Sequence, residues 1–325
     1  MSDARRVGMR DVARAAGVSA QTVSRVINDH SSIRPETRQR VLEAMETLGY
    51  RVNNAARALG TDRSHVLGVL ASDATLFGPG AGIAALERAA REAGRWVTTA
   101  YADAADPASV DAAVRHLLDQ GVDGILLVAQ RIDTVARLES HATVPVLALH
   151  QGTALQADAA ALVVAHLADL GHRRIARIGG PDGWIEEAAR AEGFDTAVGA
   201  HGMTVTDRWA GDWSAASGAA AAPAVLAAIA RADGPTAVVV ANDQMALGLM
   251  SALADAGRGI PSDISVVGFD DNPDAAHYRP ALSSVRLDIA GEARRCVAAV
   301  LDAAAPPSID APVLAARAST APPTR

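Results

Sequence analysis

Lysine is absent from the 325-residue chain, so all 30 of its basic residues are arginine. We interpret this as a compositional bias that carries no functional information. Aromatic residues make up only 3% of the chain, although half of its residues are hydrophobic. The single cysteine, Cys296, excludes an intramolecular disulfide framework, and we expect it to be a buried thiol on a helix.

Long apolar runs are also missing, since none approaches the ~20 residues that a membrane-spanning helix requires. The N-terminus lacks the pattern of a signal peptide. The sequence therefore predicts a cytoplasmic protein with no membrane partner. Its length is sufficient for two or three domains with substantial cores.

The formal charge of −7, taken over the whole chain, argues against nucleic-acid binding. Residues 1–63, however, contain eleven arginines and seven acidic residues, which gives this segment +4 and leaves −11 on the rest. A basic head on an acidic body is typical of a protein whose head contacts DNA while its body has another task.

The stretch Met9–Asn28 in the basic segment predicts two short helices joined by a tight turn. Gly17 suits the left-handed position that ends a helix, and Ser19 suits the N-cap of the next one. The apolar face of the first helix comprises Met9, Val12, Ala13 and Ala16, and that of the second comprises Val23, Val26 and Ile27. The opposite face of the second helix comprises Ala20, Gln21, Ser24, Arg25 and Asn28. These side chains suit base edges and phosphates in a major groove, although an ordinary helical hairpin remains the alternative.

A third helix is predicted to start at Pro35, where a missing N–H is harmless, and to end at Gly49. Its predicted buried stripe comprises Val41, Leu42, Met45 and Leu48. The following segment Asn53–Leu59 predicts a helical turn too short to be stable alone in water. It requires a partner, either its own symmetry mate or DNA.

From His65 onward, apolar strands alternate with helices, which predicts an α/β fold with parallel sheets covered on both faces. The predicted strands are Val66–Ala71, Trp96–Tyr101, Gly124–Ala129, Val144–Leu149, Arg174–Ile178, Ala237–Ala241 and Ile264–Phe269. The predicted helices include Pro107–Asp119, Ala159–Leu170, Ser214–Arg231 and Gln244–Ala256. Two such units in tandem form two lobes with a cleft, and ligands of open α/β sheets bind at the carboxyl ends of the strands.

The side chains expected at those strand ends suit a sugar. Asn242 and Asp270 follow two predicted strands, Arg190 lies on a predicted helix, and Trp213 lies in the segment GDWSAASG. Guanidinium, amide and carboxylate groups satisfy hydroxyls in pairs, and an indole covers the apolar face of a pyranose. Taken singly, Trp213 could be a core residue, Arg190 a surface ion pair, and Asp243 a helix cap.

Residues 9–59 resemble the DNA-binding head of the LacI/GalR family, through DVARAAGVSAQTVSRVIN, RPETRQRVLEAMETLGYRVN and the hinge NNAARAL. The resemblance implies a three-helix helix-turn-helix head whose second helix lies in the major groove. Gln21 and Arg25 would read bases, Ala20 would occupy the other main specificity position, and Leu59 of the hinge would wedge between base steps. Further DNA contacts are implied for Ser19, Thr22, Ser24, Asn28, Asn53 and Ala56. Arg34 departs from the family, in which a serine cap usually precedes the third helix, and we expect it to contact a phosphate.

The segments VVVANDQMALGLMSAL, ISVVGFDDNPDAAHYRPALSSV and AGDWSAASG resemble the effector-binding core of the same family, which is two-lobed and similar to periplasmic binding proteins. The resemblance implies effector contacts by Leu76, Pro79, His150, Arg190, Trp213, Asn242 and Asp270. His150 stands where a carboxylate is found, Leu287 and Ile289 replace a polar and an aromatic residue, and Glu186 replaces a small hydroxyl. One wall of the pocket therefore differs from that of the family. A glycoside or sugar remains the expected effector, but galactose specifically is not expected.

We expect residues 1–63 to form the head with its hinge helix and residues 64–325 to form the effector core. The first lobe would comprise residues 64–153 and 289–311, and the second residues 154–288 and 312–325. The resemblance implies a homodimeric repressor that binds a pseudopalindromic operator and is released by a small carbohydrate, without cofactor, metal or catalytic residues. A purine-like or phosphorylated corepressor that tightens DNA binding is the alternative.

Two other classes of protein fit less well. A periplasmic sugar-binding protein would need an export signal and no head, and a nucleotide-dependent enzyme would need GxGxxG after the first strand. The segment Gly78–Gly82 lacks the Lys-Ser/Thr of a phosphate loop and predicts a strand-to-helix turn. His172 is expected to be a structural hydrogen-bonding group, and the tail Ala315–Arg325 lacks the heptads of a coiled coil.

Overall fold

A computed structural model of the chain describes residues 7–27, 30, 32–50, 64–72, 75–151, 154–303 and 307–324. The chain divides into two compact units, Met1–His65 and Val66–Arg325. Over the described ranges, no helix combines the length and the apolar character needed to cross a membrane.

The first unit contains three helices in its described part, α1 (Met9–Ala16), α2 (Ala20–Ile27) and α3 (Pro35–Thr47). Gly17 follows α1 with φ 65°, and its N–H donates to carbonyl groups of the last turn, as the sequence predicts. Ser19 Oγ accepts the N–H of Thr22 at 3.1 Å, which confirms Ser19 as the N-cap of α2.

The core of this unit is small and aliphatic, and one predicted member of it is wrong. Leu42 is 46% exposed, and Ala44 is buried on α3 in its place. The inward stripe of α3 runs through Val41, Ala44, Met45 and Leu48, which have the i, i+3, i+4, i+7 spacing of one helical face. Leu42 lies about 100° round the helix from Val41 and so points away from this face.

The second unit alternates strands and helices throughout its described part. Its helices are α4 (Phe77–Glu92), α5 (Pro107–Asp119), α6 (Ile132–His141), α7 (Leu155–Asp169), α8 (Ile185–Ala200), α9 (Ala215–Ile229), α10 (Asp243–Asp255) and α11 (Ile289–Val300). Its strands are β1 (Val66–Ala71), β2 (Trp96–Tyr101), β3 (Gly124–Val128), β4 (Val146–Ala148), β5 (Arg174–Gly179), β6 (Thr204–Ala210), β7 (Ala237–Val240), β8 (Ser265–Val267), β9 (Ser284–Arg286) and β10 (Val313–Ala315).

Two four-stranded sheets organise this unit into two lobes. The first sheet has the strand order β2-β1-β3-β4 and the second β6-β5-β7-β8, and every pair within them is parallel. Strands β9 and β10 form a separate antiparallel pair. The doubly covered parallel sheets that the alternation predicts are therefore present, and the carboxyl ends of their strands are where a ligand is expected.

Helix α11 returns the chain from the second lobe to the first. Val297 and Val300 of α11 pack with Leu67 and Val69 of β1 in one buried cluster. Cys296, on the same helix, is buried, its thiol donates to the carbonyl of Ala148 at 3.6 Å, and burial raises its pKa to about 12. The first lobe is thus completed by a segment that follows the second lobe in sequence.

Close packing of α9 against α10 in the second lobe fixes the residues that precede these two helices. A Cβ atom at Gly248 of α10 would lie 1.8 Å from the carbonyl oxygen of Ala215, and one at Gly218 of α9 would lie 1.9 Å from that of Met245. Glycine at both positions lets α9 and α10 approach closely. The first residues of these helices follow Trp213 and Asn242, so the packing also fixes those two residues.

The glycine-rich segment Gly78–Gly82 lies inside α4 rather than in a strand-to-helix turn. A Cβ atom at Gly82 would lie 2.8 Å from Leu149 Cδ2, so this residue is constrained by packing. His172 is buried between Thr236 Oγ1, at 2.8 Å, and the carbonyl oxygen of Ala321, at 3.0 Å. It has the structural role that the sequence predicts, since it ties the C-terminal segment to the second lobe.

Candidate functional sites

The exposed face of α2 presents the predicted base-reading side chains. Ala20, Gln21 and Arg25 are exposed, while Thr22 and Ser24 are half-buried. Gln21 and Arg25 are four residues apart and therefore neighbours on one face of the helix. This face carries an amide and a guanidinium, the two groups that make bidentate bonds to adenine and guanine edges.

The other predicted DNA contacts are only partly within the described residues. Arg34 is exposed at the N-cap of α3, where its carbonyl accepts N–H groups of the first turn while its side chain does not cap the helix. Asn28, Asn53, Ala56 and Leu59 lie outside the described residues, so the hinge helix and its wedge stay predictions.

A cavity lies where the carboxyl ends of the two parallel sheets face each other, and it brings all seven predicted effector residues together. It holds about 600 Å³ of empty space, counting the part open to solvent. The predicted residues on its wall are Leu76, Pro79, His150, Arg190, Trp213, Asn242 and Asp270.

Arg190, on α8, is the central polar group of the cavity. Its Nε donates to Gln156 Oε1 at 2.7 Å, its Nη2 donates to Asp270 Oδ1 at 3.1 Å, and its Nη1 donates to the carbonyl of Ala241. The guanidinium also lies 3.8 Å from the centroid of the Phe269 ring. Arg190 is thus held rigidly, and the hydrogens that these bonds do not use remain for a ligand.

Trp213 forms one wall of the cavity and is fixed from two sides. Its carbonyl accepts a hydrogen bond from Asn242 Nδ2 at 3.0 Å, while Asn242 Oδ1 caps α10 by accepting the N–H of Met245 at 2.8 Å. A Cβ atom at position 180 would lie 2.2 Å from the indole, so Gly180 is needed for the ring to occupy this place. Asn242 therefore positions the stacking wall in addition to lining the cavity.

His150, in the first lobe, pairs with the carboxylate of Glu292 on α11. Burial lowers the pKa of the imidazole, but the hydrogen bond and the charge of Glu292 outweigh this and raise it overall. Glu186 of the second lobe contributes in the same direction. The first lobe thus presents to the cavity an imidazole that is paired with a buried carboxylate, at the position where the family has a carboxylate.

Two polar atoms on the cavity wall have no hydrogen-bond partner among the described residues. They are Glu186 Oε2 and Gln156 Nε2, and both are buried. Arg190 donates to Gln156 Oε1, which fixes the amide orientation and leaves the amide nitrogen as a donor. Burial also raises the pKa of Glu186, although His150 and Arg190 partly offset this. A buried polar atom without a partner costs about 1–3 kcal/mol, which a bound hydroxyl group would recover.

Several cavity residues are missing from the sequence prediction. Trp184 follows β5 and could have been found by the rule that residues after strands line the site. Glu186 replaces a small hydroxyl residue of the family, so the resemblance does not identify it as an effector contact. Gln156, on α7, lines the cavity, and Glu292, on α11, pairs with the cavity residue His150. Neither is next to a strand end, so no local signal identifies them.

Comparison with known proteins gives the same picture for the head and the core. A family model described as "Bacterial regulatory proteins, lacI family" matches residues 8–53, and one described as "Periplasmic binding protein-like domain" matches residues 164–320. The Lactose operon repressor of Escherichia coli (strain K12) is 35% identical over 292 residues, which cover 87% of this chain and 80% of that protein.

Two similar solved structures span nearly the whole chain. The Lac repressor dimer bound to operator and the anti-inducer ONPF has a TM-score of 0.77 at 31% identity, with 98% of this chain and 100% of that chain covered. The transcriptional regulator CelR in complex with cellobiose has a TM-score of 0.68 at 28% identity, with 97% and 100% covered. The chain therefore belongs to the LacI family of bacterial DNA-binding transcriptional regulators, which are not enzymes.

Proposed function

We propose that this regulator is a homodimeric repressor whose affinity for a pseudopalindromic operator is lowered by a small neutral carbohydrate. The observation that carries the proposal is the pair of unpartnered atoms on the cavity wall, Glu186 Oε2 and Gln156 Nε2. One is an acceptor when ionised and the other is a donor, and a sugar hydroxyl can satisfy either. The indole of Trp213 beside them supplies an apolar wall for the C–H face of a pyranose.

The charges around the cavity favour a neutral ligand over an anionic one. Its two basic side chains, Arg190 and His150, are already paired with Asp270 and Glu292. The carboxyl group of Glu186 remains, and it supplies no positive charge to balance a phosphate or carboxylate on a ligand. A sugar phosphate or nucleotide is therefore disfavoured as effector, and with it the alternative of a phosphorylated corepressor.

Two similar structures support the assignment by analogy, since one is a repressor dimer on its operator and the other a relative with cellobiose. In the proposed mechanism the exposed face of α2 reads operator bases, with Gln21 and Arg25 as the principal readers. Ser19, Ala20, Thr22, Ser24, Asn28 and Arg34 would complete this interface, with Asn53, Ala56 and Leu59 of the hinge in the minor groove. Sugar binding would draw the lobes together and separate the paired hinges.

The test is a titration of operator binding with saccharides. An operator is first selected from randomised DNA with the purified full chain, and a thermal-shift screen of mono- and disaccharides then identifies a ligand. We expect that ligand to weaken operator binding at fixed salt. Trp213→Ala should retain operator affinity and lose the response, because it removes the stacking wall and leaves the head unchanged.

Trp96→Ala is the matched control, since Trp96 is 62% exposed on the edge strand β2 and lies outside the cavity wall. It should retain both operator binding and the sugar response. The proposal is contradicted if no saccharide changes operator affinity, or if a purine strengthens binding instead. A Trp213→Ala protein that still responds would refute the stacking role.

A further inference from the structure

A second, larger cavity lies next to the one already described, and the two share part of their walls. It holds about 1110 Å³ of empty space, counting the part open to solvent. The shared residues are Leu76, Trp184 and Trp213. We call the first cavity the inner cavity and the second the outer cavity. A ligand seated in the inner cavity against the indoles could extend past them into the outer one.

The shared indoles form a rigid corner. Trp184 and Trp213 meet edge to face, with ring centroids 6.3 Å apart and an interplanar angle of 77°. Trp184 is also held by an antiparallel bridge to Arg131 of the first lobe, beside the hydrogen bond from the N–H of Ile132 to the carbonyl of Gly183. Both indoles line both cavities, so they mark the point at which a ligand would pass from one cavity into the other.

The outer cavity is lined by polar and aromatic groups that suit a carbohydrate. Tyr101, at the end of β2, is 55% exposed and borders it, as do Asp103 and Asp212. One oxygen of Asp103 accepts the N–H of Ala105 at 2.9 Å, and one oxygen of Asp212 accepts that of Ser214 at 2.9 Å, so both carboxylates are held in place. Ser72 Oγ, also on this wall, is buried with no hydrogen-bond partner in the part of the chain that the structure describes.

The charge of the outer cavity, like that of the inner cavity, favours a neutral ligand over an anionic one. Its wall contains two carboxylates, Asp103 and Asp212, and the single guanidinium of Arg131. Arg131 is engaged with the carbonyl of Asp182 at 3.1 Å and with the carboxylate of Asp133 at 3.3 Å. An anionic unit would find no free cation on this described wall, whereas a neutral polyol can use carboxylates, a hydroxyl and an aromatic face together.

We propose that the effector is an oligosaccharide of at least two units, with one ring in the inner cavity and the next in the outer cavity. This inference rests on the proposed function and adds the length of the ligand to it. Trp184 and Trp213 separate the two rings, and Tyr101, Asp103 and Ser72 contact the second one. A monosaccharide occupies only the inner cavity and therefore binds more weakly.

The test compares matched pairs of ligands that share their non-reducing unit. The pairs are methyl β-glucoside with cellobiose, methyl α-glucoside with maltose, methyl β-galactoside with lactose, methyl α-galactoside with melibiose, and methyl β-xyloside with xylobiose. Calorimetric titration of the full chain should show at least one disaccharide binding tenfold or more tightly than its methyl glycoside. The Tyr101→Ala and Asp103→Ala variants should remove most of this gain and leave the methyl glycoside within twofold.

Trp96→Ala, on the same edge strand as Tyr101, is the control and should leave both ligands of a pair unchanged. The second subsite is overturned if methyl glycosides bind as tightly as their disaccharides, or if neither variant reduces the gain. It is also overturned if the variants weaken both ligands of a pair equally. If no saccharide in the series binds, the proposed function itself fails, which is a distinct outcome.

Discussion

Four residues around the inner cavity hold a left-handed backbone conformation although none of them is glycine. They are Ala129, His150, Trp213 and Asp270, with φ values of 53°, 71°, 73° and 100°. Each follows a strand within three residues of its end. Such conformations cost of order 1–3 kcal/mol each and persist only where the surroundings fix them. The strain is therefore concentrated at the cavity, whose wall is fixed before any ligand arrives.

Asp243, the first residue of α10, is a buried carboxyl group beside this wall. It accepts hydrogen bonds from Ser284 Oγ at 2.6 Å and from the N–H of Asn272 at 2.8 Å. Burial raises its pKa to about 8, and the charges of Asp270 and Asp271 add to the effect, while the two hydrogen bonds oppose it. The folded protein therefore keeps a proton here that the unfolded chain releases near pH 4.

This proton predicts how stability depends on pH. Between about pH 4 and pH 8 the folded state binds more protons at Asp243 than the unfolded state, so the free energy of unfolding falls as pH rises. His150, whose pKa is also raised, contributes with the same sign above pH 6.5. Asp243→Asn should reduce the decline in the free energy of unfolding between pH 6.5 and pH 8, as measured by urea unfolding.

Asp255→Asn is the matched control, since Asp255 is exposed at the other end of the same helix and should leave the pH dependence unchanged. An Asp243→Asn protein with the wild-type slope over this range would show that Asp243 is already ionised in the folded state.

The sequence pattern indicates which residues gather at the cavity, but it does not predict their hydrogen-bond partners. Asn242 and Asp270 follow strands, and the predicted cleft brings them together with Arg190 and Trp213. The chain order says nothing of the bond between Arg190 and Gln156, or of the pairing of His150 with Glu292, which are 142 positions apart. Such partners are fixed by how the lobes and helices pack, and a short stretch of sequence does not determine that packing.

At the scale of elements, α2 is the segment whose function is most directly testable. Gln21→Ala or Arg25→Ala should each lower affinity for the preferred operator by about 1–3 kcal/mol and relax the preference for one base pair. Competition binding against single-base operator variants measures both effects. Gln39→Ala, at an exposed position of α3, should change neither. An equal loss of affinity on all sequences would mean that the residue contacts phosphates rather than bases.

Apolar runs predict seven of the ten strands in the described part of the chain, and they do not predict β6, β9 or β10. The bounds of β1 and β2 match the prediction, as do those of α5. Strand β6, with the sequence TVTDRWA at the edge of the second sheet, was missed because its polar residues interrupt any apolar run. Strands β9 and β10 have three residues each and carry no periodicity that a pattern could detect.

At the scale of the whole core, one hydrogen bond joins the lobes at the edge of the inner cavity. Gln244, at the start of α10, accepts the N–H of Phe77 at the start of α4 through Oε1, at 2.9 Å. It thereby satisfies a helix N-terminus that has no side-chain cap of its own. Leu76 and Pro79, on either side of Phe77, line the cavity, so the bond helps to hold the wall of the first lobe against the second.

Gln244→Ala should therefore weaken binding of the proposed saccharide, although Gln244 itself does not contact the ligand. A net contribution of about 0.5–1.5 kcal/mol for one hydrogen bond corresponds to roughly a two- to tenfold rise in Kd. Gln244→Glu keeps the accepting oxygen and should restore most of the affinity, while Ser251→Ala, at an exposed position of the same helix, should have no effect. Calorimetry on the three variants checks this, and unchanged affinity in Gln244→Ala would show that the closed lobes do not need the bond.

The connection between the lobes also shows what a sequence pattern omits. Alternating strands and helices predict two parallel sheets, but the return of α11 to the first sheet depends on complementary packing. Gly124 leaves space for it, because a Cβ atom there would lie 2.4 Å from Val300 Cγ1. The assignment of residues 289–311 to the first lobe depends on family resemblance, since no periodicity specifies the sheet on which a helix packs.

The burial of Cys296 makes the molecule convenient for optical measurements. Maleimide dyes react with thiolates, and a thiol with a pKa of about 12 inside the core stays unlabelled at neutral pH. A pair of engineered surface cysteines, one on each rim of the cleft, would then carry donor and acceptor fluorophores without background from the native thiol. Energy transfer in single molecules could follow opening and closing of the receptor in real time as operator or saccharide is added.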